Sequence, residues 1–456
     1  MRVRKTAVSL LVIGMTVQIL LGILWILCNF PSGWTYPETE YYIAVADSWV
    51  LDEYTGVLYP VLIRGCRVLM GRLGVPFEGL LYLVQISVAF LCDSAFVMLC
   101  RWDLCGRKML LRAGFGGLYL LTVPLCVQWH LSILPHSFLS SLFLLLLGLC
   151  IRAVRHKEYC NAKLVIQVAI LWAVMTLLHP DYWWFGLIPV LYIAYLFLRK
   201  KAFTMFVCVL AAAVISSVLA VGINTLVQTP GSSGKIQKSL GASMVSRMVW
   251  PNFHTNYFFW PDEIKAIMTQ VDGMNISAHA DLVQTSFGPM VEEAYGKDKA
   301  DEMYWQMAIN CFTVRTKEVI TAIGEDFVAY LFTPWQVKSH LDGSGLSYSG
   351  WHYDKMRTET PKLTRWYVDY GLISFEIGMI LVVCLEIVKC IKARHIRVTG
   401  CRAGCSLPLL CVLFQVVWYT MAGAGMMDYR NVPVVILLWY YVLIVGMERA
   451  EWPSIP

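Results

Sequence analysis

Charged residues are scarce in this chain, and their scarcity decides the class of protein. Only 15% of its 456 residues are Asp, Glu, Lys or Arg, while 58% are hydrophobic. Soluble domains carry about 25% charged residues, so the composition excludes an ordinary soluble protein and indicates an integral membrane protein. The net charge of +6 does not indicate a nucleic-acid partner, because the cations are spread over short loops between apolar segments.

Three further absences narrow the function. The 15 cysteines lack the regular spacing of an extracellular disulfide framework, and no CxxC pair suggests a zinc site. No internal repeat is evident, which argues against many transporter folds, since those are commonly built from repeats. Carboxylates are rare outside the later polar segment, so a cluster of them near a membrane span requires a reason.

Long hydrophobic runs are the most abundant feature. The first run is longer than the apolar core of a signal peptide and lacks a cleavage site, so we interpret it as a signal anchor. Runs of about 17–25 apolar residues are long enough to cross a bilayer as helices. We therefore predict ten spans, at residues 7–28, 79–100, 113–129, 136–152, 164–179, 183–198, 203–226, 371–391, 406–427 and 431–447.

The distribution of cations predicts the topology. Lys and Arg concentrate in every second loop, for example in 101–112, 152–163 and 389–402. The positive-inside rule therefore places both termini in the cytoplasm of a multi-pass cell-membrane protein. We expect an all-α fold with an N-terminal transmembrane module (1–226, including the outer loop 29–78), a mainly helical extracytoplasmic cap (227–370) and C-terminal transmembrane helices (371–456).

An acidic stretch follows the first span, reading YPETEYYIAVADSWVLDEYTGVLYP at residues 36–60. Its carboxylates are Glu38, Glu40, Asp47, Asp52 and Glu53. Glu38 or Glu40 is positioned to be a general base at the membrane surface. Alternatively, both acids only complement the dipole at a helix start. The two side chains would lie about 200° apart on a helix of 3.6 residues per turn, so they need not share a task.

The same loop ends in a predicted amphipathic helix. We place its apolar positions on one face and Arg64 and Arg67 on another, which is typical of a helix lying in the membrane interface. Both arginines would then approach lipid headgroups. The predicted apolar face consists of Val57, Leu58, Val61, Leu62, Cys66 and Leu69.

Other candidate residues are predicted on the same side of the membrane. His136, His179 and Asp181, together with Asp47 of the acidic stretch, have side chains that bind an acceptor or a divalent metal. The alternative is that the histidines and Asp181 cap helices at the interface. The sequence establishes no cofactor and leaves the metal open.

Cations near the outer surface are candidates for binding a phosphate. Arg430 lies at the outer mouth of the last span, where its planar guanidinium suits a lipid phosphate; the alternative is an ion pair with Asp428. Lys235 and Arg247 of the polar segment, and Arg64, are further candidates. Asp93 is an intramembrane carboxylate, and we expect it to pair locally rather than to mark an ion path.

Taken together, these motifs resemble those of the GT-C superfamily of polyprenyl-phosphate-sugar glycosyltransferases. The similar branch contains the protein O-mannosyltransferases and lipid A aminoarabinose transferases. Glu-Thr-Glu-Tyr-Tyr-Ile-Ala-Val-Ala at 38–46 is similar to the family's Asp-Glu-x-x-Tyr-x-x-x-Ala, with Glu in place of Asp. A Tyr-Pro at 59–60 and Tyr-Arg-Asn-Val-Pro at 429–433 add to the resemblance, which covers 1–200 and 405–447.

The resemblance implies a mechanism as well as a fold. Glu38 takes the position of the family's catalytic Asp, and Arg430 takes the position near the donor phosphate. The sugar would pass from a polyprenyl phosphate to an extracytoplasmic glycan, lipid or protein by a single inverting displacement. A polysaccharide polymerase or ligase of similar architecture remains an alternative, as does a transporter or flippase. A third reading is a non-catalytic membrane protein whose outer loop binds a partner.

Overall fold

The computed structural model describes residues 2–31, 33, 37–51, 56–100, 106–156, 162–180, most of 190–198, 203–227, 260–268, 288–321 and 362–371, with isolated positions at 245, 324, 373 and 377. This part of the chain is 89% helical and has no strands. Within these residues, four helices are long and apolar enough to cross a membrane, at Val12–Asn29, Phe77–Leu99, His136–Ala153 and Phe206–Val227. The all-helical membrane prediction is confirmed at this level.

Twelve of the described helices carry labels below. The first seven predicted spans all overlap described helix, the sixth only in part, and the last two lie outside the described residues. The labelled helices are α1 (Arg2–Asn29), α2 (Pro37–Ser48), α3 (Leu58–Gly71), α4 (Phe77–Cys100), α5 (Arg107–Leu121), α6 (Pro124–His130), α7 (His136–His156), α8 (Ala162–Leu178), α9 (Phe203–Val227), α10 (Asp262–Met268), α11 (Gly288–Tyr295) and α12 (Lys297–Val314).

The centre of the bundle is formed by α4, α5 and α7. Of the membrane-length stretch of α7, 83% is buried within the protein, against 22% for α9, so α7 is central and α9 peripheral among the described helices. Small residues allow the close packing, as they commonly do between membrane helices. A Cβ built on Gly117 of α5 would lie within 3.0 Å of Ser94 of α4.

The predicted third span is interrupted. The sequence predicts one helix through 113–129, but α5 ends at Leu121 and α6 begins at Pro124. A proline disfavours the helical conformation in the preceding residue, and Val123 is accordingly extended, with ψ of 129°. Neighbouring helices bond the main chain at the break: the carbonyl of Thr122 accepts from Gln18 Nε2 at 2.8 Å.

A helix over residues 362–371 runs antiparallel to α1. Trp25 Nε1 donates to Thr364 Oγ1 at 2.9 Å, and the Tyr370 hydroxyl donates to the carbonyl of Gly14 at 3.1 Å. Both α1 residues belong to its membrane-length stretch, Val12–Asn29. Helix therefore extends N-terminal to residue 371, the predicted start of the eighth span, through polar residues that lower the hydropathy of 362–370.

The described part of the predicted cap is helical. The helices α11 and α12 pack together, and the Tyr304 hydroxyl donates to the carbonyl of Gly288 at 3.3 Å. The buried side of α12 is formed by Ala300, Met303, Tyr304, Met307, Ala308 and Cys311. This small helical unit agrees with the expected character of 227–370.

Asp93 is buried in the bundle, with 2% of its surface exposed. It is hydrogen-bonded to Ser141 of α7, and its Oδ1 has no hydrogen-bond partner among the described residues. This partner is a hydroxyl on a neighbouring helix, and the local pairing that we expected stays a prediction. This arrangement joins α4 to α7 at the cost of burying a carboxyl group.

We expect Asp93→Asn to leave the thermal unfolding midpoint in detergent unchanged or raised. The amide keeps a hydrogen bond to Ser141 and costs less to bury than a carboxyl group. The control is Asp93→Leu, which removes the bond and leaves the buried Ser141 hydroxyl unsatisfied, and should lower the midpoint. A large loss of stability in Asp93→Asn would contradict this account.

Candidate functional site

The acidic stretch folds into a layer over one end of the bundle. We call this the His136 end, meaning the end at which α7 begins and α1, α8 and α9 finish. The layer consists of α2 and α3, which pack on each other, and α3 also packs on α4 and α8. The helix predicted at the end of this loop corresponds to α3, and α2 precedes it.

The side of α3 that packs on the protein differs from the apolar face predicted for the membrane interface. The helix buries Tyr59, Pro60, Ile63 and Cys66. Val61 and Leu69, which we placed on the apolar face, are 45% and 55% exposed. Spacings of i, i+4 and i+7 align Tyr59, Ile63 and Cys66, and this stripe packs inward. Because α3 is apolar on more than one side, the pattern alone does not select the face that packs on the protein.

The helix α2 separates its two glutamates. Its buried residues are Thr39, Tyr42, Val45 and Ala46, whereas Glu40 is exposed. The helix repeat gives position 38 the same register as Tyr42 and Val45 (i, i+4, i+7), so we expect it on the inward side of α2. The Glu38 side chain lies outside the described residues, whereas Glu40 is exposed.

Two of the predicted site residues of the layer make contacts inside it. Asp47 forms an ion pair with Arg67, which joins α2 to α3. Arg64 stacks on Trp49, with the guanidinium carbon 5.1 Å from the ring centroid. The Asp47 carboxylate is therefore engaged by a cation within the layer, and such an exposed pair contributes at most about 1 kcal/mol.

A buried hydrogen-bond chain joins the layer to the bundle. The Tyr59 hydroxyl donates to Gln85 Oε1 at 3.0 Å. Gln85 Nε2 donates to the carbonyls of His130 and Ser132, each at 2.9 Å. The chain of contacts therefore runs from α3 through α4 to the turn between α6 and α7.

The loop before α3 is attached separately to α8 and α9. The main-chain N–H of Val57 donates to Asn224 Oδ1 at 3.1 Å, and Asn224 Nδ2 donates to the carbonyl of Thr176 at 3.4 Å. Gly56 packs against the main chain of Leu177 and Leu178. The two attachments hold the start of α3 at the His136 end of the bundle.

Histidines gather beneath this layer. The rings of His136 and His179 have centroids 6.2 Å apart, and Trp129 lies 5.4 Å from His136. His130 Nδ1 is 2.8 Å from Ser137 Oγ. Within the described ranges, no group of three or more His, Cys, Asp or Glu residues is arranged to hold a metal ion. The structure brings the rings of His136 and His179 close together.

Several predicted site residues lie outside the described residues, namely Asp181, Lys235, Arg247 and Arg430. The sequence reasoning missed Tyr59, Gln85 and Asn224 as organising residues. A signal existed for Gln85, which is a lone amide in an apolar run. Its partners are 26 to 47 residues away along the chain, so the run itself does not reveal them.

His130 gives the protein an expected sensitivity to acid. Burial lowers the pKa of His130 to about 3. The unfolded chain takes up this proton near pH 6.5, so stability should fall between pH 6.5 and 3 by up to about 1.4 kcal/mol per pH unit. Above pH 6.5 this group should have no effect.

The matched variant is His130→Asn, which does not titrate and keeps a polar atom near Ser137. Thermal midpoints in detergent should be measured for both proteins between pH 7.5 and 5. The midpoint of the unsubstituted protein is expected to fall more steeply below pH 6.5 than that of the variant. Parallel profiles over this range would contradict the assignment.

The chain matches no family model, no curated protein and no solved structure.

Proposed function

We propose that this protein is a membrane glycosyltransferase with a GT-C-like fold of about ten spans. It would transfer a sugar from a polyprenyl-phosphate donor to a glycan, lipid or protein outside the cytoplasm. The observation that supports the proposal is the register of α2, which buries Tyr42 and Val45, the residues that the helix repeat aligns with position 38.

The proposed reaction is one displacement at the anomeric carbon. The Glu38 carboxylate takes the proton of an acceptor hydroxyl, and the hydroxyl oxygen forms a bond to the anomeric carbon. The bond from that carbon to the lipid phosphate breaks with inversion, and polyprenyl phosphate leaves with the electron pair. Arg430 stabilises the departing negative charge, and a phosphate leaves well enough that no strong general acid is needed.

The remaining candidate residues have supporting roles in this proposal. Arg64 is exposed on α3 beside Trp49, where it would contact the donor's phosphate or neighbouring headgroups. Lys235 and Arg247 would add positive charge near the donor. His136, His179 and Asp181 would bind the acceptor, with a divalent metal as the alternative.

The transporter alternative requires polar residues that line a path through the spans. The described spans do contain buried polar side chains, including Gln18 and Gln85. Both donate to main-chain carbonyls, Gln18 at the break after α5 and Gln85 at the end of α6. Asn224 likewise holds main-chain groups. These contacts indicate that the three side chains hold main-chain groups rather than line a transport path. We therefore prefer the enzyme proposal to the transporter alternative.

The proposal is tested with purified protein in lipid nanodiscs. The protein is incubated with native membranes as acceptor and with a panel of polyprenyl-phosphate-linked hexoses, hexosamines and pentoses. We expect time-dependent release of polyprenyl phosphate from at least one donor, detected by mass spectrometry. Absence of release from every donor, with the protein folded, would contradict the proposal.

A further inference from the structure

The hydrogen-bond chain at the His136 end runs from Tyr59 through Gln85 to two main-chain carbonyls. Close packing of side chains does not by itself require such a chain. Gln85 is completely buried, and its amide is bonded on both sides. The oxygen accepts from Tyr59, while the nitrogen donates to two carbonyls. A membrane helix rarely carries such a side chain without using its hydrogen-bonding capacity, since an unsatisfied group in hydrocarbon costs several kcal/mol.

The carbonyls that Gln85 binds lie at a helix end. The last carbonyls of a helix have no partners within the helix, and His130 ends α6 while Ser132 belongs to the following turn. This turn leads directly into His136, the first residue of α7. Gln85 therefore fixes the segment that carries the histidines of the candidate site.

Tyr59 links the same segment to α2. Its ring centroid is 5.3 Å from that of Tyr42 on α2 and 6.2 Å from that of Phe138 on α7, with edge-to-face geometry in both pairs. Tyr59 is fully buried, so its ring sets the separation of α2 from α7. Its hydroxyl ties this ring to Gln85, and through Gln85 to the turn before His136.

We propose that Tyr59 and Gln85 are positioning residues that hold Glu38 on α2 in register with His136 at the start of α7. This inference rests on the proposed glycosyltransferase function for its catalytic consequence, but its structural part stands independently. Neither residue touches the reacting atoms. They act by fixing the two segments that carry Glu38 and His136, and a misplacement of about 1 Å can cost 100-fold in rate.

The test uses Tyr59→Phe in the full-length protein in nanodiscs. This change keeps the ring and its packing but removes the hydroxyl, so the Gln85 oxygen loses its donor. The matched control is Ser48→Ala, which removes an exposed hydroxyl bonded to the carbonyl of Ala44 within the same layer. A second variant, Gln85→Glu, keeps an acceptor for Tyr59 but has at most one O–H donor, so it cannot donate to both carbonyls.

Two measurements are made on each protein. Amide hydrogen exchange followed by mass spectrometry should rise about 10-fold or more in residues 37–48 for Tyr59→Phe, and also in 130–138 for Gln85→Glu. The rate of polyprenyl-phosphate release per folded molecule should give a kcat reduced by about 10- to 100-fold, with the KM for the donor within about twofold. Ser48→Ala should change neither.

The outcomes separate the two proposals. Unchanged exchange in Tyr59→Phe overturns the positioning role, whether or not the protein transfers sugar. Raised exchange with an unchanged kcat also overturns it, because the register would then not affect the reaction. If the unsubstituted protein releases no polyprenyl phosphate from any donor, the proposed function fails. The exchange measurement then still decides whether the bridge fixes the two segments.

Discussion

Replacing Glu38 by Gln is expected to reduce sugar transfer by at least about 100-fold, whereas Glu40→Gln should leave it within about twofold. A positioned general base contributes about 100- to 10,000-fold to the rate. The amide of Gln keeps the size of the side chain but accepts no proton at neutral pH. The helix repeat predicts position 38 on the inward side of α2, while Glu40 is exposed.

The two variants make a matched pair. Both variants replace a glutamate of α2 by glutamine, at positions two residues apart. They therefore differ only in the side of the helix on which the carboxylate is lost. Transfer is measured as release of polyprenyl phosphate, with thermal midpoints to verify that both proteins are folded. Equal activity of the two variants would contradict Glu38 as the base, and loss only in Glu40→Gln would exchange their roles.

Gly56→Ala is expected to destabilise the protein by about 3 kcal/mol. A Cβ at this position would lie within 3.0 Å of main-chain atoms of Leu177 and Leu178 at the end of α8. Main-chain atoms at a helix end cannot move aside as a flexible side chain can. The loop before α3 would have to lift, which weakens the adjacent bond from Val57 to Asn224.

Gly65→Ala is the control for this prediction. Gly65 lies within the exposed side of α3, and a Cβ there would meet no atom within 4 Å. Alanine at an exposed helix position is more favourable than glycine by about 0.5–1 kcal/mol. Thermal unfolding in detergent should therefore give a lower midpoint for Gly56→Ala and an unchanged or higher one for Gly65→Ala. Similar midpoints for the two variants would refute the close packing of Gly56.

The features of the fold that depend on hydrophobic length were predictable. The helices α1, α4, α7 and α9 lie close to the predicted spans because about 20 apolar residues have few other stable arrangements. The break after Leu121 was also visible in principle, since Pro124 stands within the predicted third span. Sequence alone did not show that Gln18 and the 362–371 helix would bind the freed carbonyl of Thr122.

The packed face of α3 and the start of the 362–371 helix were not predictable by hydropathy. Val61 and Leu69 are as apolar as the residues that α3 buries, so only contact with α4 and α8 selects Tyr59, Ile63 and Cys66. In 362–371, the polar side chain of Thr364 is satisfied by Trp25, far away in the sequence. Partners at such separations cannot be read from a local pattern.

The candidate site was predictable only in part. Helical geometry separated Glu38 from Glu40, but the packing of Tyr42 and Val45 was needed to tell which side faces the bundle. The proximity of His136 and His179 followed from their predicted positions at neighbouring span ends. Gln85 was missed because its value as a hydrogen-bonding centre depends on the turn after α6, which hydropathy does not describe.

The most direct measurement is an experimental structure of the protein in lipid nanodiscs with a non-transferable polyprenyl-phosphate-sugar analogue. The account predicts that the donor phosphate contacts Arg430 and that the anomeric carbon lies about 5–6 Å from a Glu38 carboxylate oxygen. That distance leaves room for one acceptor hydroxyl between them. A bound donor whose anomeric carbon lies far from Glu38, with the Glu38 carboxylate pointing into water, would contradict the account.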